Sequence, residues 1–240
     1  AAAAMGPAET VSPFDGAAAA ASPSGIPQGL HGYIHEVPPG TEHLFTSLDV
    51  MGRDLSLLSR FGHLRSLKLM DFAGRDISFL ANLQNLHSLT LMTLPNVTDI
   101  SFLARLPNLH SLTLSRLYNV KDISFLAGLP NLQFLKLRNL PKVDNLSVLA
   151  SLQNLHSLTL HNLTNVKDIS VLGGLTNLHS LTLHSLFKVE DISVLGGLTN
   201  LHSLTLRYLP NVENISALKG LGELKKMNLY RVRGLPNVEV

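Results

Sequence analysis

The sequence has no cysteine and no tryptophan, and only 5% of it is aromatic. Without cysteine there is no disulfide framework, thiolate–zinc site, thiol nucleophile or cysteine-held iron–sulfur cluster. Charge is scarce and nearly balanced: 19 basic and 17 acidic residues leave +2 over 240 residues. That balance argues against a dedicated nucleic-acid binder and leaves only local basic patches open. No apolar run approaches the ~20 residues of a membrane-spanning helix. The 45% apolar content suffices for a core. A globular or solenoid chain without covalent staples remains.

Residues 1–30 are mostly Ala, Gly, Pro and Ser, including runs at Ala1–Ala4 and Ala17–Ala21. So few large apolar side chains cannot offset the entropy of ordering, so an extended low-complexity arm is expected. No basic residue precedes His31. Neither a secretory n-region nor an Arg-rich transit peptide is legible there, and an intracellular setting is favoured on that ground.

Residues 31–240 are expected to form one domain, because a 23-residue period organises them. The string LHSLTL occurs at Leu86, Leu109, Leu155, Leu178 and Leu201, with LQFLKL at Leu132 and LKKMNL at Leu224 in the same frame. LRSLKL at Leu64 begins the regular series, and Phe45–Val50 reads as a degenerate first copy. A supersecondary unit repeated in this way buries its apolar side against its neighbours. Within a unit, alternation at Leu89 and Leu91 indicates a short strand with Ser88 and Thr90 outward. The second half opens at Asp54, Asp76, Asp99, Asp122, Asn145, Asp168, Asp191 and Asn214, each followed by Ile/Leu-Ser-x-Leu. An Asp or Asn oxygen there can accept an amide at the start of a helical or 3₁₀ turn. Strand, turn and short helix then alternate, and successive strands form a parallel sheet.

These motifs resemble the leucine-rich-repeat family from about Phe45 to Leu229. The Asp-Ile-Ser-x-Leu half is similar to the internalin and SDS22-like subclass. The period and turn also resemble trypanosomatid leucine-rich-repeat proteins. The resemblance implies an α/β solenoid, a curved right-handed superhelix with a parallel β-sheet on its concave face and short helical or 3₁₀ turns on its convex face. One departure stands out. The ninth position, usually Asn or Cys in the family, is Phe72, Leu94, Leu117, Leu140, Leu163, Leu186 and Leu209 here. The Asn before each strand (Asn85, Asn108, Asn131, Asn154, Asn177, Asn200) is expected to satisfy loop backbone groups instead.

The outward columns locate a candidate surface. Ser88, Ser111, Ser157, Ser180 and Ser203, with the threonines two residues on, form two nearly uniform columns that suit simple cross-strand pairing. One repeat breaks both columns with Phe134 and Lys136. Arg138, His161, His184, Arg207 and Tyr230 follow at the next outward position, with Tyr208 beside them. The whole outward strip holds Arg65, Lys68, Arg116, Lys136, Arg138, Arg207, Lys225, Lys226 and Arg231 against Asp71 alone. Arginine and aromatic side chains on one rigid sheet are typical of binding hot spots. The eight candidate contacts are therefore Phe134, Lys136, Arg138, His161, His184, Arg207, Tyr208 and Tyr230. The expected partner is a protein with an acidic surface, with nucleic acid as the second reading and a solvated face without a partner as the third.

His87, His110, His156, His179 and His202 form a further column. No cysteine or recurring carboxylate completes a metal shell beside it, so a structural role at the strand entrance is expected, with neighbouring rings disfavouring each other's charge. The His-Ser doublets are poor catalytic pairs, because adjacent strand residues point to opposite faces. There is no P-loop, dinucleotide fingerprint or HExxH, and one Asp per repeat cannot assemble a calcium shell. No enzyme activity and no cofactor are expected. Tyr33, Ile34 and Val37 are candidates for covering the first repeat, whereas after Leu229 no polar cap is legible, and end-to-end docking through the last repeat is open. The expected function is a non-catalytic interaction scaffold and complex subunit. The alternatives that the resemblance implies are a phosphatase-regulatory subunit or a surface adhesin; an RNA-binding subunit is a further one.

Overall fold

A computed structural model describes residues 42–47, 61–233 and 238–239. The arm at residues 1–30, the candidate cap at Tyr33, Ile34 and Val37, and Asp54 lie outside the described residues. Among the described residues, ten strands form a single sheet in sequence order. They are β1 (His43–Ser47), β2 (Ser66–Met70), β3 (Ser88–Met92), β4 (Ser111–Ser115), β5 (Phe134–Arg138), β6 (Ser157–His161), β7 (Ser180–His184), β8 (Ser203–Leu209), β9 (Lys226–Val232) and β10 (Val238–Glu239). β1 to β9 pair in parallel, and β10 folds back antiparallel on β9, with Val238 opposite Leu229.

The alternation does what the pattern predicts. In β3, Leu89 and Leu91 are no more than 1% exposed, while Ser88, Thr90 and Met92 lie half-buried on the outer side. The family's missing ninth-position Asn is replaced by plain burial: Leu94, Leu117, Leu140, Leu163, Leu186 and Leu209 are all 0% exposed. Among the described residues no α-helix occurs. Each complete repeat instead closes with a five-residue 3₁₀ turn, such as Ser78–Asn82, in which Leu80 N–H donates to Ile77 O at 3.1 Å. Turns this slender can follow the ~4.8 Å strand spacing, whereas packed α-helices stand 8–10 Å apart. Close approach also explains Gly173, where a Cβ would meet Val194 Cγ2 of the next turn at 2.5 Å.

The Asp/Asn column caps these turns as expected. Ser78, Ser101, Ser124 and Ser147 donate their amides to Asp76, Asp99, Asp122 and Asn145 at 2.7–2.8 Å. The bond runs two residues forward, an Asx turn, so each Asp sits one residue before the position that flanks the 3₁₀ turn.

The first copy differs from the pattern. Reading it as Phe45–Val50 sets Leu48 opposite Leu67, but the register pairs Leu44 with Leu67 and Phe45 with Lys68. The spacing decides this: Leu44 lies one full 23-residue period before Leu67, and a start at Phe45 would leave a repeat four residues short.

Candidate interaction surface

Parallel pairing in constant register turns columns of the sequence into rows across the sheet. Ser115, Arg138, His161, His184, Arg207 and Tyr230 are successive partners on β4 to β9. Arg138 Nε donates to His161 Nδ1 at 3.1 Å. The His161 and His184 rings meet edge to face, 4.2 Å between centroids. Tyr208 continues the chain of rings, 5.2 Å from His184 and 5.3 Å from Tyr230. The Arg207 guanidinium lies over Tyr230 at 5.2 Å, and that of Arg231 lies over both tyrosines at 5.4 and 5.5 Å. Such cation–π contacts contribute about 0.5–1 kcal/mol each where solvent reaches them.

Tyr208 reaches this face through an unusual backbone. It adopts φ 53°, as do Asn139, Asn162 and Arg231 at equivalent positions. The left-handed residue ends strand alternation, so the side chain after Arg207 is not forced inward. Seven of the eight candidate residues thus form two groups: Arg138, His161, His184, Arg207, Tyr208 and Tyr230 in one connected cluster, and Lys136 in the central row of β5. Phe134 stands apart at the other end of β5, 44% exposed in a column that is otherwise serine until Lys226.

Burial pushes the His161 imidazole down to about 4, with His184 and then Arg138 adding to the shift. His184 is lowered as well, first by burial and then by Arg207 and Arg138. Both rings are half-buried and neutral at pH 7. The strand-entrance histidines differ. His156 and His179 stack 5.2 Å apart, nearly parallel and exposed, whereas His110 and His202 of the same column are half-buried. Each anchors its own repeat through Nδ1 and the carbonyl two residues back, at 2.7 Å for His156 and Asn154.

The rest of the strip is less uniform than its count. Arg65 lies 4.0 Å from Glu42, a carboxylate that the outward pattern did not include, and both side chains are more than half exposed. A groove of about 520 Å³ lies on the turn side of the last repeats, lined by Glu190, Asp191, Glu213 and Arg233, and Arg233 closes on Glu213 at 3.1 Å. Among the described residues no cluster of three His, Asp or Glu is arranged to hold a metal. No helix among them is long and apolar enough to cross a membrane.

No family model and no curated protein matches the chain. Solved structures do. An internalin (InlF) from Listeria monocytogenes is 29% identical over 74% of this chain and 57% of its own, with a TM-score of 0.58. An internalin C2 from the same organism is 27% identical over 72% of this chain and 74% of its own, TM-score 0.55. The leucine-rich-repeat domain of the type III effector XopL shares the fold, with 19% identity, 80% and 77% coverage and a TM-score of 0.59. The chain therefore spans a little over half of the first internalin, 57% of its length. Folds of this kind are, in general, non-enzymatic protein-interaction scaffolds. By its repeat, its register and these likenesses, the chain is a leucine-rich-repeat solenoid similar to the internalins.

Proposed function

We propose that the solenoid is a non-catalytic scaffold, a structural subunit of a larger complex, that binds a partner with an acidic surface through its basic strand face. The observation that carries this reading is the cluster from Arg138 to Tyr230. Together with Arg231 it gathers three arginines, two neutral histidines and two tyrosines on strands β5 to β9, none of which carries a carboxylate. An acidic surface is attracted there without having to displace an internal acid. The sheet beneath is already ordered, so docking loses little conformational entropy. Phe134 adds an apolar contact at the margin, where an exposed ring gains most from a partner that covers it.

Crosslinking mass spectrometry on the protein from its native source tests the reading. Lys68, Lys136, Lys225 and Lys226 lie on the strand side, whereas Lys121, Lys142, Lys167 and Lys188 lie on the turns. Crosslinks from the first set to acidic segments of one partner are expected, and the double variant Phe134→Ser, Arg138→Ser should reduce recovery of that partner at least tenfold. Crosslinks confined to the turn-side lysines, with recovery unchanged in the variant, would place the interface elsewhere. An RNA partner would instead show affinity falling linearly with salt on a log–log plot.

A further inference from the structure

We propose that the row Arg138, His161, His184 and Arg207 is a proton-coupled receptor for the carboxylates of an extended acidic segment: the ligand draws Arg138 off His161 Nδ1, and the uncovered imidazole takes up a proton. This rests on the acidic-partner reading and adds to it the form of the ligand and a regulation of the site.

The geometry sets up the coupling. Because Arg138 Nε donates to His161 Nδ1 at 3.1 Å, that nitrogen is the acceptor and the ring is the neutral Nε2–H tautomer. A proton cannot be added at Nδ1 while Arg138 stays in place. The charged and titratable groups on the outer side of the neighbouring strands are Arg116 just after β4, Lys136 and Arg138 of β5, Arg207 and Tyr208 of β8, and Tyr230 and Arg231 of β9. None is a carboxylate, so nothing on these strands favours the imidazolium. Burial first, then His184 and Arg138, account for a ring that titrates at about 4 in the free protein. A bound carboxylate supplies the missing counter-charge and a better partner for Arg138. Arg207 is prepared in the same sense, since its Nε is buried and has no hydrogen-bond partner.

The spacing selects an extended ligand. Arg138 leans toward β6, where it meets His161, and Arg207 toward β9, where it covers Tyr230. Those positions are three strand spacings apart, about 14 Å. Acidic side chains at i and i+4 of an extended segment point the same way about 13 Å apart, with i+2 between them over His184.

The probe is a twelve-residue peptide alternating Glu and Thr, labelled with tetramethylrhodamine and titrated with the full chain at pH 7.5 and pH 5.5. Its carboxylates stay largely ionised at both values. If binding restores an ordinary imidazole pKa, affinity should rise about tenfold between the two for one proton taken up. Calorimetry at pH 5.5 in two buffers of different ionisation enthalpy should give an uptake near one proton per peptide, a readout that needs no variant. In the paired change His161→Asn, His184→Asn the ratio of affinities at the two pH values should fall to about one. Binding that is equally tight at both pH values, with no proton uptake, would overturn the coupling and leave the acidic-partner reading standing. Failure of any acidic peptide to bind at either pH would overturn both.

Discussion

Residue by residue, the most costly choices lie in the left-handed column that follows the strands. Asp71, Thr93, Arg116, Asn139, Asn162, Ser185, Tyr208 and Arg231 all have φ between 53 and 56°. Asn and Asp tolerate this region, but other L-residues lose about 1–2 kcal/mol in it. The conformation is kept because it aims each amide at the next strand: Thr93 N–H donates to Ser115 O at 3.0 Å and Asn139 N–H to His161 O at 2.9 Å. Thr93 is the one β-branched member, so its side chain suffers most. Thr93→Asn should therefore stabilise the fold by about 0.5–1 kcal/mol, or roughly 1–4 °C in Tm by circular dichroism. A lowered Tm would show that Thr93 makes a compensating interaction. The column was hidden in the sequence, since neither Thr nor Arg signals a positive φ.

Element by element, turns and strands titrate in different pH windows. In the turns, amide hydrogen bonds from the serine two residues on hold Asp76, Asp99, Asp122, Asp168 and Asp191 below 3.8. Their contribution is present above that value and is lost as the pH falls below it. On the strands, His161 is pushed from 6.5 to about 4. The unfolded chain then binds this proton first, so stability falls as the pH drops from about 6.5 to about 4 and levels off below. Urea-unfolding midpoints against pH should show two separate limbs, and His161→Asn should flatten the upper one only. The loops between elements are tied by asparagines, as the sequence led one to expect: Asn108 donates to Gln84 O at 3.0 Å and Asn154 to Pro130 O at 2.9 Å. A second ladder went unseen. Asn119 donates to Pro95 O and Asn165 to Pro141 O, and Lys142 and Lys188 reach back to those same asparagines at 2.7 Å. Its signal was the Asn or Lys before each turn valine, which is visible once the repeats are aligned.

Over the whole solenoid, burial is saturated in the middle and incomplete at the last repeat. Leu201 and Leu204 are 0% exposed, while their counterparts Leu224 and Met227 one repeat later are only half-buried. Ile215 and Leu218 are likewise less covered than Ile192 and Leu195. β10 pairs with β9 over just two residues and covers part of that edge, which qualifies the expectation of a bare final strand. In a stacked array each repeat is held by its neighbours, so a defect in the middle uncouples two halves. Leu160→Ala should cost about 2–5 kcal/mol and lower hydrogen-exchange protection across several strands. Leu224→Ala should cost less than half of that and affect β9 alone; equal costs would mean that the end is packed as tightly as the centre.

The sequence by itself determined the period, the strands, the inward leucines, the Asx turns and the first Asn ladder. Each is a local rule repeated, and repetition lets weak local signals add. It also placed Arg138, His161, His184, Arg207 and Tyr230 on one side, because alternation and constant register carry a column into a row; Tyr208 joins them only through its left-handed backbone. The register of the first copy was carried by the 23-residue spacing of Leu44 and Leu67, but the degenerate motif at Phe45–Val50 hid it until the strand pairing was seen. Tertiary structure alone decided how each histidine is surrounded, since His161 and His156 look alike in sequence. One is half-buried among arginines and the other stacks in the open, and an imidazole responds to the solvent and charge around it, which no spacing of residues records.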